Sequence, residues 1–228
     1  MPNWVYNTVT IYGQHENIKK VKAQLNRSFI ANHEELTQNG LEKTYQNYTN
    51  PVFSFRNIVK PDDSILEEYY GKNRVVEFHD YSKSVMENVA IAMANAVTSN
   101  HWYDWNNRNW GTKWDVAVVD GGEHTSGTSI VNESPGSITY TFRTAWSPIP
   151  QLLAKLSEQN PKLKIYYHYV EEQGWGGEVW IEDGKEEFTS EWEWKCEECE
   201  AYFEKMPRLS KVMQETDTCP KCVDNVQI

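Results

Sequence analysis

The sequence has no apolar run approaching the ~18–20 residues that span a bilayer. Its opening, MPNWVYNTVT, lacks the basic and apolar regions of a secretory signal. Both absences point to a cytoplasmic protein with no membrane segment. Basic charge is also scarce: 22 Lys and Arg stand against 33 Asp and Glu, giving a formal net charge of -11. A general nucleic-acid phosphate binder needs a basic face, so the composition argues against one, while a local basic patch or a basic protein partner remains compatible with it. Catalytic signatures are missing too. His101, His124 and His168 have no nucleophile motif beside them. The glycines of the 121–127 segment lack both the lysine of a P-loop and a following helix. The expectation is therefore a binding protein rather than an enzyme.

Aromatic residues, in contrast, are abundant: ten Trp and thirteen Tyr, within 39% hydrophobic content, suffice for a packed core. Four of the tryptophans, Trp102, Trp105, Trp110 and Trp114, fall in SNHWYDWNNRNWGTKWDVAVVD. This stretch reads as a helix capped by Ser99 and stopped at Gly111, followed by a strand with Trp114, Val116 and Val118 on one face. Large aromatics bury about 150–250 Å² each, so core packing is the first reading of the cluster. A base-stacking platform is the second, with Trp102, Trp105 and Arg108 as the residues to test.

Periodicity places the remaining elements. Residues 4–12 alternate as a strand, with Val5, Val9 and Ile11 on one side. Residues 15–29 form a helix through Ile18, Val21, Leu25 and Phe29. Residues 32–50 read as a polar loop, 52–59 as a strand, and 63–70 and 82–97 as helices. The Gly-, Ser- and Thr-rich run 121–137 reads as a loop. Residues 138–146 are a strand, Ser147 and Pro148 start a helix, and 163–170 and 178–182 form a hairpin around a glycine-rich turn. Trp175 lies in that turn as a contact residue or a staple over the sheet edge. The order predicts an α+β fold: a ferredoxin-like mixed or antiparallel sheet with helices on one face.

Four blocks carry a resemblance: the opening MPNW, FSFRNIVKP, NWGTKWD and TAWSPIP. Over residues 1–182 they resemble the YubB-type family of ferredoxin-like proteins from bacteriophages and conjugative plasmids. Ile149 departs from it, standing where a second consecutive proline is usual. The resemblance implies no catalytic residues. It implies a mobile-element origin and, with it, an accessory role such as countering a host defence system.

The most specific chemical signal lies at the C-terminus. Cys196-Glu-Glu-Cys199 and Cys219-Pro-Lys-Cys222 form a paired C-x₂-C array. Two residues between cysteines let one tight turn aim both sulfurs at a single ion, and two such turns complete a tetrahedral thiolate site. Four soft ligands favour structural zinc, with iron in a rubredoxin-like site as the alternative. The expected division is a ferredoxin-like domain over 1–184 and a four-cysteine zinc ribbon over 185–228. Ten acidic residues between 182 and 204 face only Lys185 and Lys195, a surface that would repel phosphate.

The leading expectation is thus a non-enzymatic protein that binds a host macromolecule, most simply a host protein. A small-molecule binding protein or enzyme is the alternative, with a nucleotide-like ligand near Trp102, Arg108, Trp146 and His168. Nucleic-acid binding through the ribbon is a third reading. A homodimer through an open sheet edge is compatible with all three.

Overall fold

The computed structural model describes residues 3–37, 40–61, 102–117, 127–196, 199–203 and 222. The helices expected over 63–70 and 82–97 lie outside these residues. The first strand, β1 (Trp4–Tyr12), alternates as the sequence does: Val5, Asn7, Val9 and Ile11 are buried, while Tyr6 and Tyr12 are exposed. Helix α1 (His15–Leu25) buries Ile18, Val21 and Leu25. It stops one turn short of Phe29, which instead opens a hairpin, β2 (Phe29–Thr37) and β3 (Gly40–Tyr48). The polar residues 32–50, expected as a loop, are therefore mostly strand. They form a two-stranded sheet of their own, and the polar sequence shows no hydrophobic alternation from which to read it.

Residues 52–59 do not form the expected strand. Phe53 and Phe55 are fully buried, but the chain turns through a short 3-10 helix, Phe55–Asn57. The backbone N–H groups of Phe55 and Arg56 donate to the Asp115 carboxylate at 2.8 and 3.0 Å. Donors spent on a side chain are lost to a strand ladder. Helix α2 (Trp102–Trp110) follows, and Gly111 ends it at φ +80 as the sequence implies. The strand expected after it is absent from residues 113–117. There Val116 is buried and Trp114 exposed, and Val118 lies outside the described residues.

The main sheet has six strands in the order β4-β5-β1-β6-β7-β8, every neighbour antiparallel. These are β4 (Ser129–Ser134), β5 (Ser137–Ala145), β6 (Lys164–Glu171), β7 (Gly176–Glu182) and β8 (Lys185–Trp192). Part of the run expected as a loop is therefore β4, paired to β5 across Pro135-Gly136. Helix α3 (Pro150–Gln159) joins β5 to β6, with Ile149 at the N-cap and Pro150 in the first turn, two residues later than expected.

Strands β5 and β6 flank β1, and β1 and β4 flank β5. Two split β-α-β units interlock in this way, so β1-α1-β4-β5-α3-β6 is a ferredoxin-like α+β fold. Residues 26–128 are inserted between α1 and β4, and β7 and β8 extend the sheet beyond β6. Strand β8 follows a tight turn at Asp183-Gly184, both at positive φ (50 and 72), the backbone that two-residue hairpins demand. The sheet thus continues through residues 185–192. Buried residues of all three helices join one core with the inner face of the sheet. No described helix is long and apolar enough to cross a membrane.

Candidate functional site

The four sequence blocks meet at one end of β1. Thr112 donates to the carbonyl of Ala145 at 2.9 Å, tying NWGTKWD to TAWSPIP. The Trp110 indole N–H donates to the Val59 carbonyl at 2.9 Å, and Asp115 accepts from the Ser54 hydroxyl at 2.7 Å, tying both to FSFRNIVKP. The Trp146 N–H donates to the Asn3 carbonyl at 2.9 Å, bringing in the opening block. Beneath them runs a buried polar network. The Tyr167 hydroxyl donates to Asn7 Oδ1 at 2.6 Å and accepts from the Ile149 N–H at 3.0 Å. Asn7 Nδ2 donates to Thr144 Oγ1 at 3.0 Å, and Thr144 donates to the Ser147 carbonyl at 2.7 Å. Burial pushes the Tyr167 hydroxyl pKa well above its ordinary value. It stays protonated and fixes the turn between β5 and α3.

That turn holds Trp146 at φ +66, a backbone conformation disfavoured for any residue with a Cβ. The strain does not serve burial. Trp146 is 42% exposed, and Trp114, stacked near it at 6.5 Å, is 40% exposed. Trp4 adjoins Trp114 at 6.4 Å. The Lys113 ammonium lies 4.2 Å from the Trp114 ring and 5.2 Å from Trp146, within cation–π range. It also lies 6.0 Å from Trp102. The Arg143 guanidinium covers Trp4 at 5.4 Å. The result is a surface of stacked indoles interleaved with cations.

The predicted contact residues divide accordingly. Trp102 and Trp146 share Lys113, and Arg108 is exposed on α2. Trp105 is buried, edge-on to Trp110 at 5.3 Å. His168 lies elsewhere on the sheet, 5.8 Å from Trp192. Trp175 packs edge-on to Tyr169 at 6.2 Å and against the core. Sequence reasoning did not single out Trp4, Lys113 or Arg143 as contact residues. The only available signal was Trp4 standing on the polar side of an alternating strand.

The C-terminal cysteines form a second candidate site. The Sγ atoms of Cys196, Cys199 and Cys222 lie within 4.8 Å of one another, with Cys196 and Cys222 at 3.9 Å. Tetrahedral thiolates at ~2.3 Å from a metal stand about 3.8 Å apart. The spacing suits a shared ion and is far too long for a disulfide. A turn aims the first pair: the Glu200 N–H donates to the Cys196 carbonyl, the Cys196 N–H donates to the Ala201 carbonyl, and Glu200 takes φ +55. Three close thiolate donors can hold a metal ion. Cys219, the expected fourth ligand, lies outside the described residues.

Comparison with known proteins finds a likeness to one family over part of the chain. Residues 113–212 match the family described as the ferredoxin-like domain in Api92-like protein. The match begins just after α2 and runs through the thiolate turn, crossing the sheet from β4 to β8. It bears out the ferredoxin-like part of the resemblance drawn from the sequence. The crystal structure of a protein api92 from Yersinia pseudotuberculosis is similar at 10% identity, with a TM-score of 0.44, over 84% of this chain and 98% of that one. No functionally curated protein matches.

Proposed function

We propose that this chain is a non-enzymatic accessory protein that binds a macromolecule of the host cell through the tryptophan surface. The observation that supports this reading is the pair Trp114 and Trp146, exposed together while Trp146 stands in a strained backbone. A left-handed conformation at a non-glycine residue costs roughly 1–3 kcal/mol, and such strain concentrates at binding and switch sites. A rigid, solvent-facing aromatic pair with a cation is also the composition of an interface anchor. Countering a host defence is the setting implied by the YubB-type resemblance, and phage or plasmid origin belongs to the same proposal.

Zinc is the ion proposed for the thiolates, held by Cys196, Cys199, Cys219 and Cys222 in a closed, structural site. A short segment with little core of its own draws folding energy from such a metal. The test is capture of a stoichiometric complex from host lysate by the intact chain, run beside a Trp114→Ser/Trp146→Gly variant with unchanged thermal melting. Loss of the complex in the variant supports the reading. A complex retained in full by the variant would sink it.

A further inference from the structure

The tryptophan surface continues along the open side of the sheet. The inner face carries the helices, whereas β1 turns Tyr6, 50% exposed, and Tyr12, 41% exposed, to the outside. At the far end of β1, Tyr12 adjoins Trp180 at 5.8 Å and Tyr166 adjoins the same indole at 4.9 Å. Lys164 Nζ lies 4.8 Å from the Trp180 ring. Trp4, Tyr6 and Tyr12 all stand on this one strand, which spans about 27 Å at 3.4 Å per residue.

Charge on this face departs from the rest of the chain. Against a net charge of -11, the aromatic track carries Lys113, Arg143 and Lys164, each positioned over a ring. The acids on the same face are Glu182, paired with Lys164 at 3.7 Å, Glu178 opposite His168, and Glu187 opposite Trp180. Of the acidic run 182–204, Glu182 and Glu187 lie at the β7–β8 edge of this face, away from Lys113 and Arg143 at the Trp4 end of β1. Rings that accept planar partners, alternating with cations that accept phosphate, are the chemistry of single-stranded nucleic acid. An open antiparallel sheet with central-strand aromatics is one of the surfaces on which unpaired bases stack. A duplex hides its base faces and offers only backbone, for which this acidic chain is poorly charged.

We infer that the open sheet face binds a single-stranded nucleic acid, with about two or three bases stacked along β1 and phosphates at Lys113, Arg143 and Lys164. The inference deepens the proposed function and rests on it: it names the macromolecule, and places it on the sheet rather than on the C-terminal cysteine segment.

The experiment is fluorescence anisotropy of a labelled twelve-residue oligothymidylate and oligouridylate with the intact metal-loaded chain, beside a duplex of equal length, at about 50 mM salt. The expected result is saturable binding of at least one single strand, with the duplex at least about tenfold weaker. Tyr6→Ala and Trp146→Gly should each weaken binding about tenfold, as loss of one stacked base requires, with thermal melting not lowered. Contact with two or three phosphates should give a logarithmic salt slope of about -1.4 to -2. No binding, equal binding of the duplex, or full affinity in both variants overturns the inference. Nuclease digestion of the lysate complex separates the two readings. A complex that survives digestion and still requires Trp114 and Trp146 keeps the binding function and makes the partner a protein. Absence of any complex together with absence of oligonucleotide binding removes both.

Discussion

Asp115 should be worth more to the fold than any exposed tryptophan. Its Oδ1 accepts from the N–H groups of Phe55 and Ala117 at 2.8 and 3.1 Å, and its Oδ2 from the Ser54 hydroxyl and the Arg56 N–H at 2.7 and 3.0 Å. One carboxylate thereby pins the turn that drives Phe53 and Phe55 into the core. Asp115→Ala leaves four donors without that acceptor. A buried donor left unpaired costs roughly 1–3 kcal/mol, and relaxation of the turn lets water reach some of the four freed donors, so the net loss is about 3 kcal/mol. For a chain of this length that lowers Tm by about 6–12 °C. Asp115→Asn keeps one acceptor oxygen and should lose about half as much.

The pH dependence of Asp115 has a definite sign. Burial pushes its carboxyl above the ordinary 3.8, against the pull of its hydrogen bonds in the other direction. An acid whose folded pKa is raised contributes stability that is complete below the unfolded value and is lost as pH rises through the folded value. Wild type should therefore gain on Asp115→Ala as pH falls toward 3.8. Urea unfolding of both chains across that window measures the difference. A loss below about 1 kcal/mol for Asp115→Ala, or a gap that widens with rising pH, would refute the account.

Three further outcomes follow from the geometry. A Cβ on Gly176 would collide with the Tyr169 carbonyl and approach Trp192 to 2.7 Å, so Gly176→Ala should destabilise by about 1–3 kcal/mol in urea unfolding. Trp146→Gly relieves a positive φ while removing an exposed ring, so its stability should match or exceed wild type by up to about 1 kcal/mol in calorimetry. Cys196→Ser removes the most buried of the three described cysteines and should weaken metal binding by at least about 100-fold, since disturbing an outer-shell partner alone costs roughly 10–100-fold. Native mass spectrometry with chelator competition reads that loss, with one ion per wild-type chain as the reference.

Elements with one buried and one open face were legible in the sequence. β1, β5, β6 and α3 each show a period of two or between three and four, because alternate burial imposes it. The Cys196–Cys199 pair was legible for a similar local reason: a single turn sets both ligands of the pair. The β2–β3 hairpin was not, since its residues are polar and show no period of two in hydrophobicity. Nor was β4, whose pattern Ser129–Ser134 is half-buried to exposed throughout. The Asp183-Gly184 turn was a signal present but unread. Residues 52–59 carried a strand pattern, and it was overridden by Asp115, some sixty residues away in sequence. The tryptophan surface is the clearest case of tertiary decision. Composition announced ten tryptophans, but a ring's exposure depends on what packs over it. Trp105 and Trp110 of one helix went into the core, while Trp114, only four residues on, came out beside Trp146. The sequence by itself determined the class of fold and pointed to the three cysteines, Cys196, Cys199 and Cys222, that the structure brings together. Which aromatics face solvent was settled by the split β-α-β topology and by the buried Asn7–Tyr167 network, which hold distant segments in one place.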